Sequence, residues 1–163
     1  MSFFPVLVNT SGRRVIVAGG GEQAAWKVDR LVQAGVRATV VNTEFRSPFD
    51  KWRDHPLITT KHSVVDISDL TPGALVFLAD EAREYAEKFR AYSDKSGAWL
   101  NVVDKPDWCD FYSMAQIRRG DLVVAVATCG KAPQVAKNLK NFLEPIVDNA
   151  WTSIGNRTVH QEV

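Results

Sequence analysis

The sequence predicts an α/β fold of the Rossmann type, a parallel sheet with helices on both faces, and three observations point there. Short apolar runs rich in Val and Ile alternate with helix-period segments from residue 14 to residue 104. The first run, Arg14 to Ala18, stops at Gly19-Gly20-Gly21 and is followed at once by a helix-favouring stretch. After Asp104 the alternation gives way to extended runs around a turn, which predicts a small antiparallel sheet and then a C-terminal helix. The expected division is a dinucleotide-binding domain over 1–104, a dimerisation and substrate-site segment over 105–150, and a loose tail over 151–163.

In chain order, Phe3 to Val8 is apolar and extended, a lead-in expected to pack on the sheet edge, and Asn9-Thr10-Ser11-Gly12 is a turn. The spacing Gly19-x-Gly21-x-x-Ala24 fits the dinucleotide fingerprint, with alanine as the third small residue. Gly19 permits the tight turn, Gly21 lets a pyrophosphate approach the backbone, and Ala24 allows helix and strand to pack closely. The free N–H groups at the helix start favour the phosphate charge. A plain tight turn is the other reading of three glycines.

The first helix runs over 22–34, with Ala25, Val28, Leu31 and Val32 on one face and Gly35 as its stop. Ala38 to Val41 is the second strand, ending at Asn42-Thr43-Glu44. A dinucleotide ribose is met at such a strand end, so Asn42, Thr43 and Glu44 are candidates for it. Neither an aspartate directly at the strand end nor an arginine cluster stands there, and NAD is the expected cofactor over NADP.

An irregular stretch over 45–54 with a short helix, a short strand over 57–61 and a loop near Asp66 follow. Ala74 to Leu78 is a buried strand that delivers Asp80 and Glu81 to the end where open sheets bind ligands. A helix over 81–93 turns Ala82, Tyr85, Ala86 and Phe89 inward, and Trp99 to Val103 is a strand that delivers Asp104. Runs over 109–112 and 116–118 are extended, Arg119-Gly120-Asp121 is a turn, and Leu122 to Thr128 is a strong strand. A helix from Ala132 to about Leu143 closes the pattern, with Pro133 in its first turn. Antiparallel strands outside the main sheet need partners, which implies a homodimer.

At 163 residues, 45% apolar and 24% charged with net charge +1, the chain has the composition of a globular domain. That balance does not call for nucleic acid or an anionic membrane. No apolar run approaches a membrane span. The N-terminus lacks a basic region and a cleavage site, so it reads as a mature start. Cys109 and Cys129 do not form a CxxC pair, and a reducing cytoplasm is the expected compartment. His55, His62 and His160 lack metal-ligand spacing, so no metal site is expected. Both cysteines read as small buried residues, and Trp99 as core. Arg118, Arg119 and Lys131 suit either a polycarboxylate substrate or turn and interface positions.

Several pieces in order carry a family resemblance: Phe4-Pro5-Val6, Gly19-Gly20-Gly21-Glu22-x-Ala24-x-x-Lys27, Ala34-Gly35, Asn101-Val102-Val103-Asp104, Arg119-Gly120-x-Leu122-Val123-Val124-Ala125-Val126 and Gly130-Lys131-Ala132-Pro133. Over roughly residues 1–145 the chain resembles the precorrin-2 dehydrogenase/sirohydrochlorin ferrochelatase family, the N-terminal module of sirohaem synthase. The resemblance implies NAD-dependent oxidation of precorrin-2 to sirohydrochlorin, with Fe²⁺ insertion in some members. It implies Asp104 as acid/base for both steps, and Glu22, Gln23, Thr43 and Glu44 as NAD contacts. It places Thr128 where the family carries a hydroxyl residue, at times a phosphorylated serine.

The pattern departs at Leu78-Ala79-Asp80-Glu81, at Tyr112-Ser113-Met114-Ala115, which lacks a usual proline, and at Ala132, where serine is usual. The chain also reads as shortened at the C-terminus. Two other functions stay open: a non-catalytic NAD- or tetrapyrrole-binding carrier or sensor, and an unrelated NAD(P) reductase of similar fold.

Overall fold

The structure is a computed structural model and describes residues 2–158. Seven strands and three α-helices are set out in chain order: β1 (Val15–Ala18), α1 (Glu22–Gln33), β2 (Ala38–Val41), β3 (Ile58–Lys61), β4 (Leu75–Leu78), α2 (Ala86–Ser96), β5 (Trp99–Val102), β6 (Ala115–Arg119), β7 (Leu122–Val126) and α3 (Pro133–Thr158). Short 3-10 turns cover Ser47–Trp52, Ile67–Asp69, Asp80–Tyr85 and Pro106–Trp108. The chain forms two compact units, residues 4–111 and residues 2–3 with 112–158. The division falls after Phe111, seven residues beyond the position read from the sequence.

In the larger unit, five parallel strands stand in the order β3-β2-β1-β4-β5. The central strands are β-branched and apolar because both their faces are covered. Alternate residues go to opposite faces. Ile16, Ala18, Val76, Leu78, Leu100 and Val102 pack with Ala86 and Phe89 of α2. Val15, Val17, Val40, Leu75 and Phe77 pack with Ala24, Ala25 and Val28 of α1. Helices on both faces of the parallel sheet agree with the expected fold. The sheet order changes direction between β1 and β4, so the crevice past their C-terminal ends is where such sheets take ligands.

Several local readings differ. The predicted helix over 81–93 divides into a 3-10 turn and α2, and Tyr85, at the join, is exposed instead of inward. Trp99 is not core. It lies on the outside of the edge strand, with the Arg13 guanidinium 5.6 Å from its ring centre. The lead-in leaves Phe4 and Leu7 exposed, and only Val8 packs on the core. Residues 109–112 are not a strand. Asp110 holds that segment by donating its N–H to the Leu100 carbonyl and accepting the Leu100 N–H on Oδ2.

In the smaller unit, β6 and β7 pair antiparallel from Ala115↔Val126 to Arg119↔Leu122, and α3 packs on both. α3 runs through Pro145 to Thr158, well past the end expected near Leu143 and into the segment read as a loose tail. Residues 159–163 of that expected tail lie outside the described residues. Among the described residues no helix is long and apolar enough to cross a membrane.

Candidate active site

Four of the five strands of the larger unit each deliver one piece of the site at the C-terminal end: β1 the glycine loop, β2 Asn42, β4 Asp80 and β5 Asp104. All three glycines are buried and closely approached. A Cβ on Gly20 would stand 2.1 Å from the Glu44 carbonyl oxygen and 2.2 Å from Asn42 Nδ2. The middle glycine, which sequence reasoning left without a role, is therefore required by the loop after β2. The Arg46 N–H also donates to the Gly20 carbonyl at 3.0 Å.

The start of α1 has no side-chain cap from its own sequence. Its amides are used by Asp80, 59 residues away from Gly21. The Gly21 N–H donates to Asp80 Oδ2 at 2.8 Å, the Ala24 N–H to the same oxygen at 3.2 Å, and the Gln23 N–H to Oδ1 at 3.2 Å. These donors converge on one anionic group, as a phosphate cradle requires. The donor set fits the pyrophosphate of a dinucleotide, and the Asp80 carboxylate shows that it holds an anion.

Gln23 links this cradle to Asp104. Its Oε1 accepts the Asp80 N–H at 3.2 Å, and its Nε2 donates to Asp104 Oδ2 at 2.9 Å. Arg83 adds a second tether, with Nη1 donating to Asp104 Oδ2 at 3.1 Å and Nε to the Asp80 carbonyl at 2.9 Å. Both contacts fall on Oδ2, and the Asp104 side chain is 66% exposed. Asp80 and Asp104 both hold left-handed backbone, with φ of 49° and 62°. Aspartate adopts that region more readily than most residues. Left-handed backbone at two adjacent strand ends aims both carboxylates at one crevice.

At the end of β2, Asn42 Nδ2 donates to the Glu44 carbonyl at 2.7 Å and to Glu81 Oε1 at 3.0 Å. Hydrogen bonds from its own backbone and from Asn42, together with the charge of Arg46, hold the Glu81 carboxyl below its ordinary range against a modest cost of burial. Glu22, Thr43 and Glu44 are exposed.

Behind the sheet end, Asn101 is buried and donates to the Phe111 carbonyl at 2.8 Å, pinning the chain that follows Asp104. Cys109 accepts the Val102 N–H at 3.2 Å, and burial pushes its thiol up from its ordinary range. Lys27 lies under the glycine loop's helix, buried, with its ammonium 5.3 Å from the Phe77 ring centre. Burial, and next the charge of Arg30, lower its pKa to about 8.

The structure thus brings Gly19, Gly21, Gln23, Ala24, Asp80 and Asp104 together, with Asn42 beside the same loop. Gly20 and Arg83 are the residues that sequence reasoning missed, and Glu81 was placed at the ligand-binding strand end without its bond to Asn42. Arg83 carried no signal beyond lying after β4, because its partner Asp104 is remote in sequence.

The remaining candidates are in the smaller unit. Arg119 is engaged by Glu144 and Asp148 of α3. Arg118 is half-buried, and its Nε has no hydrogen-bond partner. Thr128 Oγ1 accepts the Ala132 N–H at 3.2 Å, and Lys131 is exposed. Cys129, read as buried, is exposed. Among the described residues no group of three or more His, Cys, Asp or Glu is placed to hold a metal ion.

A family profile described as putative NAD(P)-binding matches residues 6–115, as the glycine loop led us to expect. The chain is 28% identical over 155 residues to the siroheme synthase of Nitrosococcus oceani, covering 95% of this chain and 33% of that protein. It is 29% identical over 174 residues to that of Nitrosomonas europaea, covering 99% and 37%. With siroheme synthase 2 of Pectobacterium atrosepticum it shares 31% over 147 residues, covering 90% and 32%. The chain spans about a third of the length of these curated relatives. Among solved structures, "SirC, precorrin-2 dehydrogenase" has a similar fold, with a TM-score of 0.73 at 23% identity over 94% of this chain and 76% of that one.

Proposed function

The chain belongs to the putative NAD(P)-binding family, and from that premise we propose that it oxidises precorrin-2 to sirohydrochlorin with NAD in sirohaem biosynthesis. The observation that carries this reading is the hydrogen-bonded chain from the glycine-loop amides through Gln23 to Asp104. It joins an anion cradle to an accessible carboxylate at neighbouring strand ends. The cofactor, when bound, supplies the hydride acceptor. Gly21, Gln23 and Ala24 hold its pyrophosphate by their amides, with the bare backbone of Gly19 and Gly21 permitting the approach.

Glu22, Asn42, Thr43 and Glu44 flank the ribose end. The ionised Glu81 beside Asn42 favours a ribose 2′-hydroxyl and disfavours a 2′-phosphate, which supports NAD over NADP. Gln23 and Arg83 orient Asp104 through Oδ2. Oδ1 takes the proton that leaves the tetrapyrrole as the hydride departs. Arg118, Arg119, Thr128 and Lys131 are assigned to the substrate's carboxylates, and Lys131 is the exposed cation among them. The same open carboxylate can accept pyrrole protons, so Fe²⁺, as substrate, is the second test of this site.

A homodimer is the proposed assembly, because Val135, Leu139, Phe142 and Ile146 form an exposed apolar stripe along α3. Two free cysteines accord with a cytoplasmic location.

The test is conversion of precorrin-2 by the chain with NAD, with and without Fe²⁺, read as absorbance of sirohydrochlorin and sirohaem. Asp104→Asn is expected to lower the oxidation rate by a factor on the order of 10² to 10⁴ while leaving NAD binding intact. An unchanged rate removes Asp104 from the chemistry. NAD binding without any conversion by the unaltered chain leaves a carrier or sensor in place of an enzyme.

A further inference from the structure

The anion cradle of this protein is filled by one of its own side chains. Asp80 accepts from the Gly21, Gln23 and Ala24 amides. The closeness of this contact is built into the loop. A Cβ on Gly21 would stand 2.8 Å from Asp80 Cγ, and one on Gly19 would stand 2.8 Å from the Ala79 carbonyl and 3.0 Å from Asp80 Oδ2. The bare glycine backbone therefore accommodates Asp80 as it would a phosphate. Asp80 reaches the cradle from left-handed backbone at the end of β4.

A carboxylate and a phosphate are both anionic acceptors with no donor to offer each other. They cannot share the same three N–H groups, and each repels the other at that range. We propose that Asp80 is an internal competitor for the dinucleotide pyrophosphate: it caps α1 when no ligand is bound and must swing out when one binds. The affinity of the loop for the cofactor is then lower than its amides alone would give. Asp80 is in this sense a latch on the cradle, and dinucleotide binding opens it. This inference rests on the dinucleotide reading above.

The experiment is calorimetric titration of the full chain with ADP-ribose, which carries the pyrophosphate but no nicotinamide and so reads the cradle without turnover. Asp80→Asn keeps a residue that tolerates left-handed backbone and removes the charge. Asp80→Gly keeps the backbone conformation and removes the side chain. Glu84→Gln removes one unit of charge at an exposed position of the same 3-10 turn without touching the loop amides. Both Asp80 variants are expected to bind ADP-ribose on the order of tenfold more tightly, the scale of one charge-assisted hydrogen bond, and Glu84→Gln is not expected to tighten it.

Unchanged or weaker binding by Asp80→Asn overturns the proposal, because Asp80 would then shape the loop for the ligand and not compete with it. Equal tightening by Glu84→Gln overturns it as well, in favour of a general charge effect. If the unaltered chain and all variants fail to bind ADP-ribose, the dinucleotide reading falls and this inference falls with it.

Discussion

The two units of this protein bury their apolar residues very differently. In the sheet unit, strands β1 and β4 are buried along their full length, and two separate clusters fill the two faces. In the unit of β6, β7 and α3, Ile117 and Ala136 are the buried apolar residues among the described ones, while Val135, Leu139, Phe142 and Ile146 lie open. A helix with a continuous apolar stripe needs something to cover it. The first unit has a core of its own, and the second has half of one. The contrast separates what holds the site together from what is left to contact something else.

The sharpest way to break this contrast is to remove one large side chain from each unit. Phe89 is 1% exposed and Val135 is 57% exposed. Phe89→Ala is expected to destabilise the sheet unit by about 3–5 kcal/mol, through lost transfer energy and the cavity left behind. Val135→Ala in the isolated chain is expected to change stability by no more than about 0.5 kcal/mol. Urea unfolding of both variants checks this. Similar losses would mean that the α3 stripe is already covered within one chain.

Charge follows the same division. Lys27 is buried in the sheet unit, whereas Arg119 meets Glu144 and Asp148 at the surface of the other. The Lys27 ammonium holds its proton to about pH 10.5 when unfolded but only to about pH 8 when folded. Between these values the unfolded chain binds more protons, so stability rises with pH. The contribution is absent below pH 8, complete above pH 10.5, and worth roughly 3 kcal/mol across the window. Cys109 opposes it, since its raised thiol loses stability as pH climbs past the ordinary thiol range. Chemical denaturation from pH 7 to 11 should therefore show a rising difference between the native chain and Lys27→Met. A flat difference would mean that water reaches the ammonium in the folded state. Arg119→Ala should show no comparable pH dependence over that range.

Much of the sheet was legible because its signals are local. Val, Ile and Ala runs ending at glycine or an acidic residue mark β1, β2, β4 and β5, and the strand limits read from the sequence fall within a residue of those observed. The glycine loop was legible for the same reason. What was hidden depends on contacts between distant segments. Asp80 was read as facing a ligand, and its bonds to amides 56 to 59 residues away could not be seen in the chain. Gly20 had no role until the Glu44 carbonyl was found against it. Tyr85 and Trp99 were misplaced because periodicity assigns a face but does not say whether anything packs there. α3 was cut short at Leu143 because Pro145 removes a backbone donor and usually ends a helix. Here the helix continues through it.

The α3 stripe gives the finest test of the contrast, since it concerns association more than folding. Val135, Leu139, Phe142 and Ile146 recur at spacings of four, three and four, the pattern of a helix seam facing a partner. Phe142 is the most exposed of them at 68%, so it contributes little to the fold of a single chain and most to a seam between two. Phe142→Glu places a charge in the middle of that seam, where a second copy would have to desolvate it. Sedimentation velocity at micromolar concentration is expected to show a dimer for the native chain and a monomer for Phe142→Glu. A native chain that sediments as a monomer would remove the second copy as the cover for this face. A dimer that survives the glutamate would move the interface away from α3.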